Sequence, residues 1–186
     1  MTKLNLHSVS SVDELMYPNQ SNELSLESSA LKFFTDFQNN EPLVIDASVS
    51  AVDARQMMMA THVRLKLVVN RANNFVGVIT AHDLSEQNIL RYTLADKSHL
   101  DDLAVADLMT RKRDLMALDL NEVGTSSIGD VVNLLKDNSQ QHCLVVDDKT
   151  HQIRGIFSAS DISRKLHLPI NIQEQSSFYR VFAAVS

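Results

Sequence analysis

Gly77-Val78-Ile79-Thr80-Ala81-His82-Asp83-Leu84 and Gly155-Ile156-Phe157-Ser158-Ala159-Ser160-Asp161-Ile162 are two copies of one phrase, 78 residues apart. Each runs glycine, two apolar residues, a hydroxyl residue, alanine, a polar residue, aspartate, then Leu or Ile. The chain has only four glycines, and two of them open these copies. Chance is a poor explanation. The chain is read as a tandem duplication with a candidate polar site in each half.

The repeat extends upstream. Leu67-Val68-Val69-Asn70 matches Leu144-Val145-Val146-Asp147, a β-branched run closed by a turn residue. A second strand, Phe75 to Ile79 or Ile153 to Phe157, then leads into the phrase. Before each hairpin lies a helical pattern. Ile128, Val131, Val132, Leu134 and Leu135 form an apolar face in the second copy, with Ser126 or Ser127 as N-cap. The first copy has Val52 to Ala60, whose Met57-Met58-Met59 cluster is read as core rather than as an adaptable binding surface. Short strands, Leu43 to Ile45 and Leu115 to Leu118, come earlier still. Each unit is therefore strand, helix, strand, strand, helix.

Val12-Asp13-Glu14-Leu15-Met16 echoes Val105-Ala106-Asp107-Leu108-Met109. On that match repeat one opens near Ser11 and carries an insertion before its first strand. The insertion is predicted to be helical, with Leu26, Ala30, Phe33 and Phe37 on one face. Its aromatic stripe has two readings, a pad on the chain's own core or a surface for a partner. The resulting organisation is an N-terminal segment at 1–20, a helical insertion at 21–41, modules at 42–96 and 104–168, and a tail at 169–186. Pro169 is expected to break the last helix, and the apolar run Phe178 to Phe182 to dock on the body or on a dimer mate.

At 186 residues the chain fits one domain or two small modules sharing a core. Its formal charge of −6 argues against nonspecific nucleic-acid binding, which needs a clustered basic surface. The run Arg111-Lys112-Arg113 is read as a solvated loop. No apolar stretch approaches the roughly 18 residues that span a bilayer, and Met1 to Val12 lacks a signal-peptide pattern. A single cysteine, Cys143, sits among Leu144, Val145 and Val146, which suggests a buried strand thiol. Together these features lead us to expect a cytoplasmic protein. The seven histidines show no metal-ligand spacing, and no P-loop or nucleophile elbow is present. The chain is therefore not expected to be an enzyme.

The ordered set of motifs resembles the CBS domain, and two copies resemble a CBS pair, or Bateman module. The resemblance covers about Ser11 to Leu168 and implies an α/β fold of two pseudo-symmetric modules, with small sheets packed on helices. It departs from the family at Leu67 and Leu144, where proline is usual. The position that often carries a basic residue holds Leu65 in one copy and His142 in the other, or Arg64 or Lys66 if the register slips by one. Such pairs hold two clefts that often bind adenosine-containing ligands. The resemblance implies AMP, ADP or ATP, ranked ahead of S-adenosylmethionine and NAD, with no required cofactor. It further implies a homodimer and a regulated partner protein on another chain.

The phrase has physical logic of its own. A hydroxyl at a strand-to-helix junction lies near unsatisfied helix N–H groups, which favour phosphate. An aspartate three residues on accepts hydrogen bonds from a ribose diol. The glycine lets a flat base approach the backbone. Carried over by match, Thr80, His82 and Asp83 serve one cleft, while Ser158, Ser160 and Asp161 serve the other with His142 and Arg164. Arg164 follows Asp161 where Glu86 follows Asp83, so the second motif is expected to be the better anchor for a charged nucleotide. The same Ser/Thr-x-x-Asp spacing also makes a capping box, expected in both copies. A structural or dimerisation adaptor with non-binding clefts is the competing reading.

Overall fold

The computed structural model describes Leu15, residues 24–96 and residues 102–172. Val12 to Met16, apart from Leu15, and Phe178 to Phe182 lie outside the described residues. Two four-stranded sheets form the body, in the orders β2-β3-β4-β5 and β1-β8-β7-β6. The first half supplies β2 (Val44–Asp46), α1 (Ala51–Ala60), β3 (Leu65–Val69), β4 (Phe75–Thr80) and α2 (Glu86–Asp96). The second supplies β6 (Ala117–Asp119), the helices α4 (Leu120–Thr125) and α5 (Ile128–Asp137), β7 (His142–Asp147), β8 (Gln152–Ser158) and α6 (Ala159–Leu166). In each half the first two strands are parallel, which requires the intervening helical crossover, and the next pair is an antiparallel hairpin.

The fourth strand of each sheet comes from the other half. β1 (Thr35–Asp36), which precedes the first half, pairs with β8. β5 (Thr110–Arg111), which follows the short helix α3 (Val105–Leu108) at the opening of the second half, pairs with β4. The two repeat glycines explain the exchange. A Cβ on Gly77 would lie 2.3 Å from the Thr110 carbonyl oxygen, and one on Gly155 would lie 2.3 Å from that of Thr35. The glycines thus admit a neighbouring strand, where the sequence suggested a ligand base.

This exchange departs from the expected helical insertion, while the match proposed at Val12 to Met16 lies outside the described residues apart from Leu15. Residues 21–41 do not form an amphipathic helix among those described: a single 3₁₀ turn, Ala30–Lys32, leads into β1. Ala30 and Phe33 are buried against the second half's core, as Val105 and Leu108 are buried against the first's. Ser29 bridges Ser127, and Ala104 bridges Ser50 in the same way. Ala30 to Thr35 is therefore the counterpart of Val105 to Thr110, and the periodicity of Leu26, Ala30, Phe33 and Phe37 arises from a crossing segment. Phe33 is core, at 1% exposure.

Each half has its own core, and a third apolar cluster joins them. Leu67, Val78 and Leu144 are its buried members, with Leu65, Leu115 and Ile156 against them. The two leucines that replace the family's proline thus pack between the sheets, and Leu67 N donates to the Leu43 carbonyl at 2.8 Å, a bond proline would forfeit. Of the methionine cluster only Met58 is core, because one turn of helix cannot bury three consecutive side chains; Met57 and Met59 are exposed. Ser127 is the N-cap of α5, in a closed capping box with Asp130.

Candidate functional site

Two clefts lie where the end of one half's hairpin faces the other half. Cleft A holds Thr80, His82 and Asp83 and is closed from the second half by Ser139 to His142 and by Met116. Cleft B holds Ser158, Ser160 and Asp161 and is faced by His62 to Leu65 of the first half. Of the predicted residues the fold therefore groups Thr80, His82 and Asp83 in one site and Ser158, Ser160, Asp161 and Arg164 in the other. His142 lies in the wall shared by both, together with Leu65 and Ile156.

The two copies of the phrase behave differently. In cleft A, Thr80 Oγ1 donates to Asp83 Oδ2 at 2.7 Å and Thr80 N donates to the same oxygen at 3.0 Å. Asp83 N donates back to Thr80 Oγ1 at 3.1 Å. This closed box leaves Asp83 only 5% exposed. Burial, then the nearby Asp83 and Asp107 carboxylates, push the Tyr92 phenol above its ordinary range. A turn follows, and α2 starts only at Glu86, whose carboxylate pairs with Arg55 at 2.8 Å.

The expected second capping box does not form. In cleft B, β8 runs directly into α6, and Ser158 makes no cap hydrogen bond. Its hydroxyl instead shares a 2.8 Å hydrogen bond with Ser160 Oγ. Asp161 stands in the first turn of α6 and pairs with Arg164 one turn on. Because Asp161 is engaged by an exposed arginine and not by its own N-cap, its carboxylate stays at the surface of the cleft. The cavity volumes follow the same division, about 100 Å³ in A and about 460 Å³ in B. Only the second falls within the range of about 300–1,000 Å³ usual for small-ligand sites.

Electrostatics also favour B. His142 is held down at about 4, mainly by burial; Arg64 pushes in the same direction and Asp161 opposes both. The imidazole is thus neutral at pH 7. Arg64 supplies the positive charge: it lines cleft B, and among the described residues it makes no ion pair. In the strand pairing Leu65 faces Thr80 as His142 faces Ser158, so the two are equivalent without a slip; Arg64 stands one residue earlier, Lys66 reaches away to the Val44 carbonyl and Leu65 is apolar wall. Glu41 and His62 are further lining residues that the motif did not reveal. The signal for Arg64 is its place one residue ahead of β3, matching Gln141 ahead of β7. Among the described residues no group of three His, Cys, Asp or Glu side chains is arranged for a metal.

Two βα units exchanging edge strands around a pair of inter-half clefts define a tandem module with pseudo-twofold symmetry. The chain belongs to the CBS domain family: the family model matches residues 35–87 and again 105–168. It is a CBS pair. A comparison with curated protein sequences finds no match. Among solved structures it is similar to an uncharacterised conserved protein from Pyrococcus horikoshii, with TM-score 0.56 and 22% identity over 80% of this chain and 98% of that one. It is also similar to CBSX2 in complex with AMP, with TM-score 0.52 and 22% identity over 74% of this chain and 94% of that one. A third is the CBS domain pair of protein MJ0100 in complex with 5-methylthioadenosine and S-adenosyl-L-methionine, with TM-score 0.51 and 18% identity over 74% and 98%.

Proposed function

We propose that this CBS pair is a regulatory sensor that binds one adenosine-type nucleotide per chain, in cleft B, and passes its occupancy to a partner protein. The observation that carries the reading is the asymmetry of the two motifs. Asp83 is buried in its own capping box, whereas Asp161, Ser158 and Ser160 face a cavity beside Arg64, which makes no ion pair among the described residues. AMP, ADP and ATP are the ligands of choice because Arg64 and Arg164 favour phosphate; S-adenosylmethionine and NAD rank below them. Support from related folds is that CBSX2 was solved with AMP and MJ0100 with methylthioadenosine and S-adenosylmethionine. Signalling requires that the ligand bind one arrangement of the halves better than another. The crossing segments suit that role, since Thr35 and Phe37 line cleft B and lie on or beside the exchanged strand.

Association into a homodimer in the cytoplasm is part of the same proposal. Met57 and Met59 on α1 and Leu90 and Leu94 on α2 are exposed apolar side chains suited to a second copy. No helix among the described residues is long and apolar enough to cross a membrane. Cleft A, small and latched, is where the adaptor reading applies.

The test is calorimetric titration of AMP, ADP, ATP, NAD and S-adenosylmethionine into wild type, Asp83→Ala and Asp161→Ala. We expect one site per chain, lost in Asp161→Ala and kept in Asp83→Ala. The occupied protein gains about 2.7 kcal/mol of stability at 100 times the dissociation constant. Absence of heat from folded, nucleotide-free protein sinks the sensor and leaves an adaptor.

A further inference from the structure

Cleft B does not end at the phosphoryl-binding phrase. A second cavity of about 580 Å³ adjoins it, and Arg64, Ser160 and Arg164 line both. Its far wall is the C-terminal segment Ile170, Asn171 and Ile172, which lies beyond the repeat. That wall is held in place. Ile170 and Ile172 pack on the second core, Gln141 Nε2 donates to the Ile172 carbonyl at 3.2 Å, and Ser163 Oγ donates to the Leu168 carbonyl at 2.5 Å.

Charge is divided between the two spaces. Cleft B carries both carboxylates, Glu41 and Asp161, which suit the hydroxyls of a sugar. The side cavity is lined by two guanidiniums, two serine hydroxyls and two amides, with no acidic side chain among its lining residues. The only charged groups on its wall are the two guanidiniums, which favour an anion over a neutral or cationic ligand. Arg64 is the decisive group. Arg164 already answers Asp161, but Arg64 has no carboxylate among the described residues, so its full charge is available at the junction.

Resting on the proposed nucleotide reading of cleft B, we propose that this side cavity is an anion pocket for the distal phosphates of a nucleoside di- or triphosphate. The pocket makes phosphate-chain length the specificity determinant of the site. Ser160 and the two arginines receive the chain as it leaves the cleft, and the Asn171 amide adds a further donor. Because Ile170 to Ile172 form one wall of the pocket, the distal phosphates come to lie against that segment.

The test is titration of adenosine, AMP, ADP, ATP and inorganic tripolyphosphate into the full chain and into Arg64→Gln and Arg64→Lys. Arg64 is exposed, so neither variant threatens the fold, and unchanged ligand-free melting checks this. Wild type is expected to bind ATP roughly tenfold or more tighter than AMP, the order of one charge-assisted hydrogen bond. Arg64→Gln removes the preference for ATP over AMP, its loss growing with the number of phosphates, and Arg64→Lys restores part of it. Adenosine, AMP and ATP binding equally well, with no response to Arg64→Gln, overturns the pocket and leaves the sensor standing. Tripolyphosphate binding that Arg64→Gln abolishes, without any nucleotide binding, upholds the anion pocket and overturns the nucleotide reading. Failure of every probe overturns both.

Discussion

Gly155→Ala tests the strand exchange on which both clefts depend. The added Cβ stands 2.3 Å from the Thr35 carbonyl oxygen and 2.6 Å from Phe34 Cε2. Ordinary contact begins near 3.4 Å, so β1 must retreat by about an ångström. The carbonyl is backbone and has no rotamer to change. Retreat strains the pairing of Asp36 with Gly155, the Phe37 N to Arg154 O hydrogen bond at 2.8 Å, and the fork in which Arg154 donates twice to Asp36 at 2.7 Å. It also loosens Phe33, fully packed in the second core. Overpacking of this kind costs about 1–3 kcal/mol, and partial loss of the Phe33 anchor raises the expected total to about 2–4 kcal/mol. Urea unfolding followed by far-ultraviolet circular dichroism measures it. Gly124→Ala is the control: nothing lies within 4 Å of its Cβ, and it sits inside α4. That change is expected to stabilise by about 0.5–1 kcal/mol. A loss below about 0.5 kcal/mol at Gly155, or an equal loss at both glycines, would refute the exchange as the reason for the repeat glycine.

His142 sets a pH limit. Its folded value of about 4 lies below the ordinary 6.5, so the unfolded chain binds more protons between these values and stability falls as pH drops from 6.5 to 4. The shift corresponds to a loss of about 3 kcal/mol, and a His142→Gln variant whose stability slopes as steeply across that window contradicts it. Asp36 and Asp130, held below the usual carboxylate range by their hydrogen bonds from Arg154 and Ser127, lose their contributions only as pH falls beneath about 4, so they do not obscure the histidine. Ser127→Ala removes a working cap and is expected to cost about 1 kcal/mol, whereas Ser158→Ala removes none and should change unfolding by less than about 0.5 kcal/mol; equal losses in urea melts would show that Ser158 caps after all. Arg154→Gln breaks the fork to Asp36 and lowers the melting temperature, and Asp36→Asn combined with it adds little further, since both act on one interaction; additive losses would separate them.

The fold was legible wherever the sequence repeats local chemistry. The hairpins, their crossover helices and the Ser127 cap follow from periodicity and turn residues, which act over a few positions. The exchange of β1 and β5 was not, because nothing local distinguishes a strand that pairs within its own half from one that pairs across. Its only trace is Gly77 and Gly155, and a glycine in a strand equally signals an approaching ligand or an approaching chain. Among the described residues the structural counterpart of Val105 to Thr110 is Ala30 to Thr35, where alanine and phenylalanine stand for valine and leucine, so burial is shared at positions whose residue types differ. The site divides in the same way. Asp83 and Asp161 occupy one motif position, yet one is consumed by the Thr80 hydroxyl and the other faces the cleft. What separates them is when the helix begins: α6 starts at Ala159, directly after Ser158, while α2 waits until Glu86. A late helix gives Thr80 and Asp83 a turn to close on each other, and an immediate one holds Ser158 and Asp161 apart. The motif names the same residue types in both halves, and the onset of the following helix decides whether the hydroxyl and the carboxylate close on each other or face the cleft.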